Sequence, residues 1–290
     1  MSLESAIALV ESVKDYKVLF IGDTIIDEYH YVTQLGRSQK EPIIPLRFEN
    51  AEVFRGGVEA AANHARSFCA QVQVSTSSNA VRKVRFVDKN YLRKLGEVHY
   101  DETTEAADAW FPEGPDAVVV TDFGHGAMSK ENVARICGLG NFVAVSAQTN
   151  SSNIGFNLIT KYPRADYAVI DEPEARLAAA DRESPLQDIA IKLAHGRFYK
   201  FIITHGPNGA YGYEDGKFIH APTYTGQVRD TMGAGDAFFA VTAPMAKTGS
   251  LEDLLFIGNS AGSLKTQIVG HRASITKEAL IAYMKAHAPR

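Results

Sequence analysis

The sequence predicts an α/β fold, a three-layer α/β/α sandwich with a mostly parallel central sheet and a small β-sheet lid. Short apolar, branched runs alternate with helical stretches for most of the length, the pattern of a doubly wound sheet. A glycine-rich turn opens an apolar helix late in the chain. Two polar–apolar stretches, neither containing a helix of its own, break this rhythm.

Met1–Asp15 reads as a short amphipathic helix, and Val18–Asp23 as a buried first strand ending in Gly-Asp. Ile44–Phe54 and Val81–Tyr100 are strand candidates that predict a small antiparallel accessory sheet able to cover a site. Val58–Cys69 is alanine-rich and helical. Asp116–Asp122, with its Ala-Val-Val-Val-Thr core, is another buried strand, and Ser129 is placed to cap the next helix. Phe142–Ser146, Tyr167–Asp171 and Lys200–His205 repeat the strand signal, with helices over Pro173–Ala180 and Leu186–His195. Ala234–Lys247, Leu251–Ile268 and Thr276–His287 are helical by length and periodicity. No low-complexity linker or repeat interrupts the chain, so residues 1–290 read as one domain with lid segments at about 28–55 and 81–108.

With 290 residues, 45% hydrophobic and 22% charged, the chain has the composition of a globular protein with a sizeable core. A net charge of −4 excludes a general affinity for nucleic acid or an anionic membrane. Any site for a phosphorylated ligand must concentrate positive potential locally. Cys69 and Cys137 lie in apolar helical stretches without a CxxC pair, which predicts reduced core thiols. No signal-peptide pattern and no apolar run of roughly 20 residues is present, so a cytoplasmic location is expected.

The most informative segment is Asp230-Thr231-Met232-Gly233-Ala234-Gly235-Asp236, followed at once by an apolar helix. Glycines before a helix let backbone N–H groups converge on an anion, and the helix dipole adds positive potential. A carboxylate beside such a nest is repelled by a bound phosphate. Its presence points to another task, accepting a proton from a hydroxyl that attacks phosphorus.

The chain resembles the ribokinase-like (PfkB) family, which includes adenosine, fructose and heptose kinases, along nearly its whole length. Asp230–Asp236 matches the family's Asp-Thr-x-Gly-Ala-Gly-Asp heptad, which implies Asp236 as catalytic base and Gly233, Ala234 and Gly235 as anion hole. Asp27, shortly after the first strand, is similar to the family's sugar-hydroxyl acceptor, and Gly56-Gly57 to its substrate signature. Thr204-His205-Gly206-Pro207-Asn208-Gly209 resembles the strand–turn beside the nucleotide phosphates, giving Thr204, Gly206, Gly209 and Thr231 as nucleotide neighbours. Asn259 stands where the family often approaches adenine. The resemblance is strongest to the kinase half of bifunctional heptose enzymes, through Ser38–Pro45, Lys83-Val84-Arg85 with Asn90, and Asp122-Phe123-Gly124-His125-Gly126. It implies ATP and Mg²⁺, admits a monovalent cation, and favours a heptose phosphate or related sugar phosphate as acceptor. A homodimer through the lid and a separate nucleotidyltransferase partner also follow from the resemblance alone.

Several residues keep more than one reading. Lys83 and Arg85 lie two apart on a strand and point to one face; they either bind a substrate phosphate or form a solvated edge. Asp122 and His125 stand at a strand C-terminus, where open α/β sheets bind ligands, which makes them candidates to line the sugar site. Tyr29, Tyr31 and Phe48 either stack on substrate, join a partner's lid or pack within the small sheet.

The chain also departs from the family pattern. Ala60 and Ala61 stand where an Asn is usual, and the nearest Asn is Asn63, so one polar sugar contact is lost or relocated. His125 replaces a Lys of the heptose enzymes. The magnesium-organising Asn-x-x-Glu becomes Asp171-Glu172-Pro173-Glu174, which still suits a hydrated Mg²⁺ through Asp171 and Glu174. Between Val74 and Val84 a turn and helix of the family are missing, which exposes a sheet edge or leaves room for a partner. These departures keep a catalytically silent sugar- or nucleotide-binding protein open as an alternative.

Overall fold

The computed structural model describes residues 2–76, 80–100, 114–224 and 228–288. In chain order its strands are β1 (Lys17–Gly22), β2 (Thr24–Gln34), β3 (Leu46–Gly57), β4 (Gln71–Thr76), β5 (Val81–Asp88), β6 (Lys94–Tyr100), β7 (Ala117–Asp122), β8 (Phe142–Ala147), β9 (Ala165–Asp171), β10 (Phe198–Thr204), β11 (Ala210–Glu214) and β12 (Lys217–Ala221). The helices are α1 (Leu3–Ser12), α2 (Val58–Ala65), α3 (Lys130–Cys137), α4 (Glu172–Ala179), α5 (Leu186–Ala194), α6 (Ala234–Met245), α7 (Leu251–Lys265) and α8 (Lys277–His287).

Eight strands form the main sheet in the order β12-β11-β10-β9-β8-β7-β1-β4. The six from β10 to β4 run parallel, and the β11–β12 hairpin adds an antiparallel margin. Alternate residues of the inner strands feed two cores. Val18, Phe20 and Val119 pack with α1, α2, α6, α7 and α8, while Leu19, Ile21, Val118 and Val120 pack with α3, α4 and α5. Burial on both faces explains why these strands read as continuous apolar runs. Each such side chain contributes about 1.5–3 kcal/mol of transfer free energy. The fold is the expected three-layer sandwich. Cys69 and Cys137 are buried and unpaired with each other. Among the described residues no helix is long and apolar enough to cross a membrane.

The accessory sheet has the order β3-β2-β5-β6. Its expected antiparallel pairing holds for β2–β3 and β5–β6 but not for β2–β5, which are parallel. The reason is topological: after β3 the chain passes through α2 and β4 before returning as β5, a crossover long enough for parallel pairing. β2 begins directly after β1, with only Asp23 between them, so one chain segment runs from the main sheet into the lid. Residues 101–108 of the second lid segment lie outside the described residues. β4 forms one edge of the main sheet, bordered by β1 alone among the described residues. Of the shortened stretch after it, residues 77–79 lie outside the described residues. Tyr29 and Tyr31 pack inside the lid with Val87 and Phe54, whereas Phe48 is exposed.

Candidate active site

Gly233 caps α6 in the left-handed conformation, φ +72°, where a side chain would be strained, and no side chain caps the helix. Ala234 N donates to Thr231 O at 3.3 Å, while no side chain takes the N–H groups of Gly235 and Asp236, an arrangement able to receive an anion. Asp236 sits in that first turn, half-buried, with its Oδ1 accepting a hydrogen bond from Gln148 Nε2. Burial raises its pKa above the ordinary aspartate value, Asp27 adds to the rise, and Gln148, His271 and Lys265 oppose it. A carboxylate so placed is a stronger proton acceptor than a free aspartate.

Two clefts meet at this helix end. One, of about 160 Å³, includes Gln148, Asp171, Glu174, Gly233 and Asp236 in its lining. The other, of about 370 Å³, gathers Thr204, Gly206, Gly209, Thr231, Ala234 and Asn259. Asp171, Thr204 and Gly235 line both. The residues expected around a nucleotide thus share one wall system, although they come from three separate stretches of sequence. Asn259 donates both amide hydrogens inward, to Ala221 O at 3.1 Å and Pro222 O at 2.9 Å, so it ties α7 to the end of β12.

Asp171 and Glu174 form a capping box at the start of α4, each accepting the other's backbone N–H at 2.8 and 3.0 Å. Glu174 also accepts from Thr149 N at 2.8 Å. Burial, and then the neighbouring Asp171, push the Glu174 carboxyl up to about 8. The Asp171 carboxyl is raised too, by burial first. Two hard oxygen donors crowded beside Asp236 fit a hydrated Mg²⁺, which takes one or two carboxylates and leaves its other positions to water and phosphate. Among the described residues no cluster of three His, Cys, Asp or Glu forms an all-protein cage, which that mode of binding does not need.

On the lid side, Asp27 is buried and its carboxylate meets Arg85 and His271, the latter at 3.2 Å. Their hydrogen bonds and charges hold the Asp27 carboxyl below its ordinary value against its burial. Cross-strand register puts Asp27, Lys83 and His99 on one face with Tyr29, Arg85 and Glu97. Lys83 is buried and the Arg85 side chain nearly so, which rules out the solvated-edge reading for both. Gly56 lies against this group: a β carbon there would stand 2.6 Å from Asp27 Oδ2 and 3.4 Å from His271 Nε2. Gly57 turns the chain into α2 at φ +61°, with Asp23 O where a β carbon would be. Tyr29 Oη reaches Met232 Sδ at 2.9 Å, joining the lid to the glycine turn.

Asp122 does not line the site. It is fully buried, accepting from Tyr162 Oη at 2.7 Å, Gly124 N at 3.0 Å and Asn157 Nδ2 at 3.1 Å, with the Lys161 ammonium against it. A strand-end carboxylate met by that many donors fixes the following turn instead of facing a ligand. Asp23 does the same from β1, accepting from Phe123 N, His125 N and Ala127 N at 2.9, 3.3 and 2.9 Å. His125 remains half-buried, its Nε2 3.5 Å from Asn150 Nδ2. Asn63 is exposed and accepts from Arg66 Nε at 2.9 Å, while Ala60 and Ala61 are buried. The polar contact missing at those alanines is not relocated to Asn63.

Three residues of the site escaped the sequence reading. Gln148 just follows β8, at the carboxyl end of a parallel strand, and that position could have flagged it. His271 lies in a loop with no motif. Lys265 ends an apolar helix, where a lysine reads as a surface residue, yet it is completely buried.

Residues 141–278 match the pfkB family carbohydrate kinase profile. Over 285 residues the chain is 24% identical to the bifunctional protein HldE of Nitrobacter hamburgensis, covering 80% of this chain and 56% of that protein. The chain therefore spans little more than half the length of this curated relative. Arabidopsis thaliana ribokinase, solved with ribose and ATP, superposes with a TM-score of 0.69 at 16% identity, covering 94% of this chain and 99% of the other. Escherichia coli phosphofructokinase-2 in complex with potassium superposes with a TM-score of 0.68 at 14% identity, covering 94% and 100%. At such identities the superpositions establish the ribokinase-like fold.

Proposed function

We propose, for a chain whose residues 141–278 match the pfkB carbohydrate kinase profile and whose fold is ribokinase-like, that Asp236 is the base of an ATP-dependent sugar kinase. The observation that carries this reading is the placement of Asp236 in the first turn of α6, where the two clefts meet. The wall of Thr204, Gly206, Gly209 and Thr231 holds ATP, with Asn259 bracing it. The acceptor sugar lies toward Asp27, Gly56 and His271, whose charged members act electrostatically on Asp236.

Asp236 takes the proton of the sugar hydroxyl as that oxygen attacks the γ-phosphorus. Its raised pKa suits the task. Gln148 holds one carboxylate oxygen, which orients the other toward the acceptor. The amides of Gly233–Gly235 and the α6 N-terminus receive the developing negative charge. Asp171 and Glu174 would hold Mg²⁺, which supplies neutralising charge on the phosphates when bound.

For the acceptor we favour a heptose phosphate or similar sugar phosphate. The buried Lys83 and Arg85 on the lid's inner face support an anionic substrate, as does the HldE relative. The test is ADP release from ATP and Mg²⁺ against a panel of free and phosphorylated hexoses and heptoses. Turnover of one sugar phosphate, abolished in Asp236→Asn, supports the reading. Silence across the panel despite ATP binding would favour a binding protein, or a subunit working with a separate nucleotidyltransferase.

A further inference from the structure

We propose that the Lys265 side chain supplies the fixed cation beneath the phosphate-binding turn, so that this kinase works without a bound monovalent ion. Lys265 is completely buried at the end of α7. Its ammonium donates to Met232 O and Gly270 O, both at 2.8 Å, and to Ile268 O at 3.4 Å. Three N–H donors meet three backbone carbonyls, which is all an ammonium can offer. A ring of carbonyl oxygens is the same chemistry that receives a desolvated K⁺ ion.

Asp230 completes the cradle. Its carboxylate accepts from Met232 N at 3.1 Å and Gly270 N at 2.9 Å, so two of the three residues whose carbonyls face Lys265 are also fixed by their amides. A β carbon on Gly233 would stand 3.4 Å from Lys265 Cε and 3.7 Å from Nζ, which places the ammonium against the anion-hole turn itself. Gly270 in turn precedes His271, the partner of Asp27. One side chain thus joins the turn that binds phosphate to the segment that reaches the acceptor side. A monovalent ion, which the family resemblance admits, does not fit in this cradle, because the carbonyls already face an ammonium tethered to α7. Burying an unpaired ammonium is strongly unfavourable; the carbonyls and Asp230 offset that here. Lys265 is a positioning residue, and the catalytic consequence rests on the kinase reading above.

The experiment compares wild type, Lys265→Ala and Lys265→Met at constant ionic strength in choline, potassium or ammonium chloride, reading turnover and the thermal unfolding midpoint of each. Wild-type turnover should be the same in all three salts. Lys265→Ala, which empties the cradle, should lose about 10² in kcat in choline through misplacement of the turn, and regain most of it in K⁺ or NH₄⁺. Lys265→Met fills the space with an uncharged stem and should not be rescued. Activation of the wild type by K⁺, or an equal loss by Lys265→Ala in every salt, overturns the proposal. If the wild type turns over no sugar, the kinase reading fails alone and the unfolding midpoints decide. A midpoint of Lys265→Ala raised by K⁺ or NH₄⁺ over choline, with the wild type unmoved, sustains the cradle; equal midpoints overturn it. If Lys265→Ala does not fold in choline, its recovery in K⁺ is the same positive result, and failure in all salts the negative one.

Discussion

Asp236→Asn separates proton acceptance from every other duty of the α6 N-terminus. Asparagine has the same shape, its carbonyl oxygen can still accept from Gln148 Nε2, and Gly233 and the first-turn amides are untouched. Stability and activity should then move in opposite directions. Burial is the first cause of the raised Asp236 pKa, so the folded value lies above the unfolded one. Stability from such a group is fully present below the unfolded aspartate range and is lost as pH rises through the folded value. Near neutral pH the native protein carries that penalty, and the neutral amide does not. The unfolding midpoint of Asp236→Asn should therefore equal or exceed that of the wild type. Removing a general base lowers kcat by about 10²–10⁴, equivalent to about 2.7–5.5 kcal/mol on the barrier. KM for ATP should change little, because the nucleotide wall is formed by other residues. Coupled ADP-release kinetics beside thermal melts give both readouts. Turnover within about threefold of wild type, far below what a lost general base entails, would refute the assignment.

Three further substitutions probe the acceptor side, the scaffold beneath it and the carboxylate pair. Gly56→Ala drives a methyl group to within 2.6 Å of Asp27 Oδ2, and should raise the acceptor KM by about tenfold or more through misplacement, with KM for ATP unchanged; an unmoved acceptor KM would remove Asp27 from the sugar site. Asp23→Ala orphans the amides of Phe123, His125 and Ala127, which at about 1–3 kcal/mol per lost buried partner should lower stability in urea melts by about 3 kcal/mol or more. The raised Asp23 pKa offsets part of this loss, but a change below about 1 kcal/mol would contradict its anchoring role. Glu174 has a folded pKa of about 8, above its unfolded value, so stability should fall as pH rises from the ordinary glutamate range to about 8 and level off beyond. Glu174→Gln should reduce that slope and Mg²⁺ should flatten it in the wild type; a slope indifferent to Mg²⁺ would argue against Asp171 and Glu174 as its holders.

The sequence by itself determined the sandwich, because a parallel strand buried on both faces leaves no doubt in its composition: Val18–Ile21 and Val118–Val120 have no polar alternate positions. It also located the α6 N-terminus, since the glycines, the helix start and Asp236 are contiguous in the chain. Helix ends were legible only approximately: α2 stops at Ala65 and α7 at Lys265, short of the apolar runs that suggested them. The short β4 and the β11–β12 hairpin went unread, because their burial comes from neighbours distant in sequence. Only the tertiary structure decided which polar residues meet. Asp122 looked like a ligand at a strand end until Tyr162, Asn157 and Lys161 closed over it. Lys265, which the sequence reading did not single out, is placed by the turns at Met232 and Gly270 in a carbonyl cradle. Local pattern fixes backbone conformation and the spacing of apolar side chains, because those depend on neighbours along the chain. Whether a buried charge is paired, and by what, depends on contacts 33 residues away or, for Asp27 and His271, 244 away, to which no local pattern is sensitive.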